Sequence, residues 1–330
     1  MRHFIRRTFI LLLTLWTAVT LNFFIPRLMP GNPAEAILAK FQSKGNLSEA
    51  SVHALEVMFG INTHQTMLQQ YWQYWREVFR FDFGLSYTYY PQTVSSLIAQ
   101  ALPWTLILIG VTTVIGFIGG TLLGIFAAWR NGTKTDAILT LTSTITQIFP
   151  YFWFALLCVY FLAFLLHIFP LSQGYSADFM PGWDTGFILS AIYHSILPAL
   201  TILVTSVGGW LLGMRNNMIS VLSEDYITLG KAKGLSNTTV ALQYAARNAI
   251  LPSLTGFALN LGFIVGGNVL VEVVFAYPGL GNLLFTAVTN EDYPLMQAIF
   301  LIIVVCVVLA NFVADLVNVL IDPRIRRAGG

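Results

Sequence analysis

The chain has 330 residues, of which 56% are hydrophobic and only 10% charged, with a mean hydropathy of +0.71. A soluble domain carries about 25% charged residues, so this balance excludes an ordinary soluble globule, and the length excludes many spans plus a large soluble domain. The net charge of +2 is too small to point to nucleic acid, and the two cysteines, Cys158 and Cys306, fall in apolar runs, where they read as packing residues rather than a disulfide or metal pair.

The pattern is that of a polytopic membrane protein. At the N-terminus, Arg2, Arg6 and Arg7 precede an apolar run from Phe9 to Ile25. The run is longer than a signal-peptide core of about 7–15 residues. It ends in Pro26, Arg27, Met29, Pro30 and Gly31 without a small-x-small cleavage site, so it is expected to stay as an uncleaved first span. A spanning helix needs about 20 mostly apolar residues. Six stretches qualify, roughly 8–29, 102–128, 137–167, 194–214, 250–276 and 295–320. The third is long enough to tilt or to project beyond the bilayer. The expected fold class is therefore an all-α membrane protein with six transmembrane helices. Residues 1–30 carry the first, 31–101 form an external segment of about 70 residues, 102–323 form a five-helix core, and 324–330 are a tail.

Within the external segment, Ser48 is placed to cap a helix running to about Phe59, with Val52, Leu55 and Phe59 at helical spacing. Residues 65–81, QTMLQQYWQYWREVFRF, are amphipathic and rich in Trp and Tyr, which suits a membrane interface. Two readings stay open for them: a lid or docking surface for an external partner, and an interfacial helix that seals the scaffold.

Lys and Arg in short loops set orientation. Arg2, Arg6, Arg7, Arg130, Lys134, Arg215, Lys231, Lys233, Arg247, Arg324, Arg326 and Arg327 all fall on one side of a six-span scheme. The alternate short loops, 168–193 and 277–293, hold only Asp178, Asp184, Glu291 and Asp292. Both termini are then expected in the cytoplasm.

Between the fourth and fifth spans lies a polar, basic island, 224–252, EDYITLGKAKGLSNTTVALQYAARNAILP, within a cytoplasmic loop 215–250. A loop that merely joins two spans needs far fewer residues. Residues 225–233 read as a helix with acids at its start and Lys231 and Lys233 near its end, which suits the helix dipole. Gly234 fits a C-terminal cap. Ser236 or Asn237 is placed to cap a second helix, 238–250, carrying Arg247 and leading to Pro252. A soluble partner is expected to dock on this element.

The residues Asp225, Tyr226, Gly230, Lys231, Ala232, Lys233, Gly234 and Leu235, followed by Ala246-Arg247-Asn248-Ala249-Ile250-Leu251-Pro252, resemble the coupling loop of bacterial ABC importer permeases. The Gly234-to-Pro252 spacing is similar to that of the dipeptide, oligopeptide and nickel permeases. Val271-Glu272-Val273-Val274-Phe275-Ala276-Tyr277-Pro278-Gly279-Leu280-Gly281 looks like that group's signature after the fifth span. Asp292-Tyr293-Pro294, the closing Leu320-Ile321-Asp322-Pro323-Arg324-Ile325-Arg326, Ala101-Leu102-Pro103 and Arg27-Leu28-Met29-Pro30-Gly31-Asn32-Pro33 agree, so the resemblance covers nearly the whole chain. One departure is that Thr228, Leu229 and Gly230 stand where the general loop has Glu-Ala-Ala. A glycine there costs about 1 kcal/mol in a helix.

The resemblance implies a type I ABC importer permease fold in the bacterial inner membrane. It also implies a second homologous permease completing the pore, two cytoplasmic ATPase subunits docked on the coupling loops, and an external substrate-binding protein. ATP and Mg would sit on the ATPases and no cofactor on this chain. The sequence agrees, since it holds no G-x-x-x-x-G-K-[ST], and its only Gly-Lys pair, Gly230-Lys231, is followed by Ala232. The chain is thus expected to be a non-catalytic transport subunit.

An intramembrane carboxylate is costly and a functional candidate by default. Glu272, with Asn268 and Asn260, is therefore a candidate for the translocation path, or Glu272 bonds to backbone in the turn at Tyr277-Pro278-Gly279. Asp315 reads as structural, and Asn311 and Asn318 line a pore or join helices. Gly116, Gly119, Gly120 and Gly124 resemble small-xxx-small interfaces, and Gly262, Gly266 and Gly267 read as packing sites. His3, His53, His64, His167 and His194 show no ligand spacing. Di- and oligopeptides are the expected cargo, with nickel complexes or short oligosaccharides as alternatives. An ion-gradient-driven secondary transporter would need an internal repeat and paired midplane acids, and neither is visible.

Overall fold

The computed structural model describes residues 2–28, 66–266 and 268–321. The helix expected at Ser48–Phe59, Gly267 and the tail 324–330 lie outside the described residues, as do the side chains of Asp315 and Asn318. Every regular element among the described residues is helical, beside one antiparallel bridge between Leu85 and Thr93.

The first helix, α1, spans Arg2–Leu28, and its apolar stretch is Thr8–Phe24. The amphipathic segment forms α2, Met67–Arg80. Thr66 Oγ1 accepts from the Gln69 N–H, and Gln69 Oε1 accepts from the Thr66 N–H, closing a reciprocal cap. α2 lies against α1. The Tyr71 hydroxyl meets Thr20 Oγ1 at 2.8 Å, and Asn22 Nδ2 donates to the Tyr74 hydroxyl at 3.0 Å.

Two long helices form the centre, α3 over Val94–Trp129 and, later in the chain, a partner helix over Thr185–Leu222. Both run well past the expected spans 102–128 and 194–214. Thr93 Oγ1 caps the first and Asp184 the second, so each helix starts well before its expected span, inside what was read as polar connection. They pack through a groove of glycines. A Cβ on Gly120 would stand 2.5 Å from Trp210 Cβ, and one on Gly124 would stand 2.6 Å from the Leu211 carbonyl oxygen. Gly116 continues the row, 3.2 Å from Ser206 Oγ. Gly119 has nothing within 4 Å, so the contact row is 116, 120 and 124.

The expected single tilted span 137–167 is corrected. It is two helices, α4 (Lys134–Ile148) and α5 (Tyr151–Cys158, extended by a π-turn Val159–Leu165), bent by 93°. Pro150 causes the break. Its ring bars the preceding residue from helical geometry, and Phe149 sits at ψ 126. The long helix Thr185–Leu222 is α6. α4 lies on it where Gly208 has no side chain, since a Cβ there would stand 2.8 Å from the Ser143 carbonyl oxygen.

After α6 come α7 (Asp225–Ala232), α8 (Asn237–Thr239) and α9 (Arg247–Phe263). A π-turn, Val240–Ala246, joins α8 to α9, and a 3-10 turn, Ile264–Gly266, closes α9, giving one 30-residue apolar helix, Asn237–Gly266. The expected span 250–276 is thus corrected at both ends. The described helix runs to Gly266, and Glu272 belongs to a separate short helix, α10 (Val269–Val274). α11 (Leu280–Thr289) follows in what was read as a loop, and α12 covers Tyr293–Ile321. Among the described residues four helices are long and apolar enough to cross a membrane, and five if the bent pair α4–α5 is one span.

Candidate functional site

The island at 224–252 is a compact two-helix element. α7 ends as expected, with Lys233 at the cap and Gly234 at φ +78, a left-handed position that favours glycine. The Gly234 N–H donates to the Lys231 carbonyl at 3.0 Å and the Leu235 N–H to the Gly230 carbonyl at 3.3 Å. Ser236 then caps α8, its Oγ accepting from the Thr239 N–H at 3.2 Å. The second helix does not stop near 250. It passes through Pro252 into the membrane helix, so no joint separates the element from the span.

The element has an apolar inside. Ile227, Val240, Ala241, Ala245, Ala246 and Ala249 are buried together with Met214 and Met218 of α6 and Ala128 of α3. Gly230 is buried there too, and a Cβ on it would meet only Leu235 Cδ1, at 3.6 Å. The helix therefore forms around this glycine despite its low propensity. Leu235 packs at the edge of the same cluster.

The outside is mixed. Tyr226 (37% exposed), Leu229 (55%), Leu242 (51%) and Tyr244 (37%) present apolar surface. Asp225, Lys231, Ala232, Lys233, Arg247, Asn248 and Pro252 are exposed as well. Asn248 Nδ2 joins the two helices, donating to the Tyr226 hydroxyl at 3.1 Å and to the Tyr244 carbonyl at 3.0 Å. The candidate residues of the island are thus gathered on one element, with ring and aliphatic surface beside three cations.

The path candidates are not gathered. Glu272 has no exposed surface. Its Oε1 accepts from Thr105 Oγ1 at 2.8 Å, and its Oε2 accepts from the N–H groups of Gly281 at 2.7 Å and Asn282 at 3.2 Å. Thr105 Oγ1 in turn accepts from the Leu280 N–H at 2.7 Å. The carboxyl group therefore holds the start of α11 against α3, where the free N–H groups of a helix N-terminus welcome an acid. Gly279 and Gly281 make room for it. A Cβ on Gly281 would stand 2.7 Å from Val269 Cα and 2.9 Å from Glu272 Oε2, and one on Gly279 would collide with the carboxyl group. Asn268 precedes α10 and is half-buried. Asn260 is exposed on α9, its Nδ2 donating to the Gly256 carbonyl at 2.9 Å.

Two buried acids hold structure in a way that the sequence reading did not assign to them. Asp136, 4% exposed, accepts from Arg215 Nε at 2.5 Å and Arg215 Nη2 at 2.7 Å. Asp292 accepts from Ser86 Oγ, from the Thr88 N–H at 2.9 Å and from the Leu295 N–H at 3.3 Å, pinning the turn before α3 to the start of α12. Only the position of Asp292 just before Tyr293-Pro294, a helix-start pattern, was a local signal.

Residues 120–327 match the family described as the inner membrane component of binding-protein-dependent transport systems. The chain is 33% identical over 324 residues to the oligopeptide transport system permease protein AppB of Bacillus subtilis, covering 98% of both chains. It is 30% identical to the dipeptide transport system permease protein DppB of Lactococcus lactis, over 98% of this chain and 99% of that one. Against the glutathione transport system permease protein GsiC of Salmonella typhimurium it is 33% identical, covering 99% of each.

Proposed function

The chain belongs to the family of inner-membrane components of binding-protein-dependent transport systems, and on that footing we propose that it is the permease subunit of an ATP-driven importer of di- and oligopeptides. The names of its relatives support the peptide class. It forms half of the pore, a second homologous permease forms the other half, and an external binding protein delivers the cargo. ATP and Mg are handled by two cytoplasmic ATPase subunits, and this chain catalyses nothing itself. α1 completes the set of six spans with both termini in the cytoplasm. The concentration of Lys and Arg on that side supports this orientation.

The observation that carries the proposal is the element that runs from α7 through α8 and the π-turn to the first residues of α9. Its inner face is packed into α3 and α6, while its outer face leaves Tyr226, Leu229, Leu242 and Tyr244 uncovered beside Lys231, Lys233 and Arg247. Aromatic and aliphatic anchors with a polar rim are the make-up of a docking interface. When the ATPases close on ATP, they press on this surface. Because α8 runs into α9 without a break, the push reaches the membrane helix directly.

Co-purification tests the reading. The chain is expected to retain an ATPase carrying a phosphate-binding loop, and Leu229→Asp with Leu242→Asp is expected to lose both the ATPase and peptide uptake. Uptake that survives this change, or that runs on an ion gradient without ATP, refutes the proposal. A ligand panel of peptides, sugars and nickel complexes on the cognate binding protein checks the cargo.

A further inference from the structure

Arg215 stands on α6 between Met214 and Met218, which are both fully buried in the core of the coupling element. Its guanidinium points the other way, to the start of α4. Nε and Nη2 grip the two oxygens of Asp136 at 2.5 and 2.7 Å, and Nη2 also donates to Asn131 Oδ1 at 3.2 Å. Asp136 is held from its own side as well. It accepts from the Gly132 N–H at 3.1 Å and from Thr140 Oγ1 at 3.4 Å, and its own N–H donates to Thr133 Oγ1 at 3.4 Å. The two side chains are 17% and 5% exposed. A forked, two-bond pair shielded from water fixes direction as well as distance. Farther along, α4 meets α6 again at the close approach of Ser143 to Gly208. The contact continues with Thr146 beside Gly208 and Gln147 beside Gly209, up to the bend at Phe149-Pro150 before α5.

We propose that the Arg215–Asp136 pair is a latch that makes α4 travel with α6, so that a push on the coupling element also swings the bent pair α4–α5. Both are positioning residues. The latch rests on the coupling reading given above, since it has work to do only if α7–α8 is pushed. One side of the latch is bonded into the loop 130–136, just past Ala128 of the coupling core, and the other stands on α6 beside the same core. Without it, α6 can move while α4 lags.

The test uses the whole transporter in liposomes, with both permeases, both ATPases and the binding protein, measuring peptide imported and ATP hydrolysed in the same sample. With Asp136→Asn the ATPases still co-purify and still hydrolyse ATP, but peptide imported per ATP falls on the order of ten-fold. Arg215→Lys, which keeps the charge and loses the fork, falls in between. A ratio equal to that of the unaltered chain in either assembled variant overturns the latch. A second measurement needs neither variant. Spin labels are placed at Leu141 on α4 and Ser220 on α6, with Cys158 and Cys306 replaced by alanine. They should keep one distance distribution in the nucleotide-free and ATP-trapped states, and a shifted distribution overturns the latch. Failure of the unaltered chain to retain any ATPase instead refutes the coupling reading and is read from the co-purification step alone.

Discussion

Replacing Glu272 by glutamine separates a structural carboxyl group from one that touches cargo. In the native site both oxygens only accept, from the Thr105 hydroxyl on one side and from the Gly281 and Asn282 N–H groups on the other. An amide has the same shape but one accepting oxygen. If its NH2 faces α11, two backbone donors meet a donor. If it faces Thr105, the hydroxyl already accepts from the Leu280 N–H and loses its own acceptor. Either way at least one buried donor is stranded, at about 1–3 kcal/mol. Glu272→Ala strands three and costs about 3 kcal/mol or more. Thr105→Val removes the same contact from the other side, so Glu272→Gln and Thr105→Val together should cost less than their sum, with a coupling of about 1 kcal/mol. The assay is thermal unfolding of the chain in detergent, paired with peptide uptake by the reconstituted transporter normalised to folded protein. Glu272→Gln should lower the unfolding midpoint, with uptake per folded molecule reduced far less. An unchanged midpoint with uptake abolished refutes the reasoning and returns Glu272 to the translocation path.

Gly120→Ala places a Cβ 2.5 Å from Trp210 Cβ and should destabilise the α3–α6 pair by about 1–3 kcal/mol, whereas Gly119→Ala, which meets nothing within 4 Å, should leave stability unchanged or raise it by up to about 1 kcal/mol in the same unfolding assay. Gly230→Ala meets nothing nearer than 3.6 Å and should raise stability by up to about 1 kcal/mol through helix propensity, measured as ATPase retention on heating. Gly234→Ala should do the reverse by about 1 kcal/mol, because φ +78 strains any Cβ. Asp292→Ala strands the donors of Ser86, Thr88 and Leu295 and should cost about 3 kcal/mol or more, read as faster proteolysis within residues 82–93.

Local chemistry was legible in the sequence wherever a residue acts on its own neighbours. Ser236 caps α8, Gly234 ends α7, and the Trp- and Tyr-rich segment is the amphipathic α2. Span borders were less legible. Apolar composition registers what can sit in lipid, while a helix also continues through polar turns, as α3 does from Val94 and α6 to Leu222. The break at Pro150 was visible as a residue type, but an apolar run on both sides masked it. The glycine row shows the limit of spacing. Gly116, Gly119, Gly120 and Gly124 are equivalent as letters, and only the position of α6 decides that Gly119 stands aside. The least legible feature was the pairing of Asp136 with Arg215, 79 residues apart, because no local spacing joins two charges on different helices.

The lengths of the two central helices have a mechanical consequence. α6 has 38 residues, roughly 57 Å at about 1.5 Å per residue, nearly twice a hydrocarbon core of about 30 Å. Its contact with α3 runs from Phe187, set against Trp104, to Arg215, set against Gly124, about 42 Å of rod at about 1.5 Å per residue. Two rods seated against each other over that length move as one body and do not pivot on a point. Pro198 lies inside the shared stretch, so under the proposed function a push at the cytoplasmic end would be delivered at the far side of the membrane by both helices together.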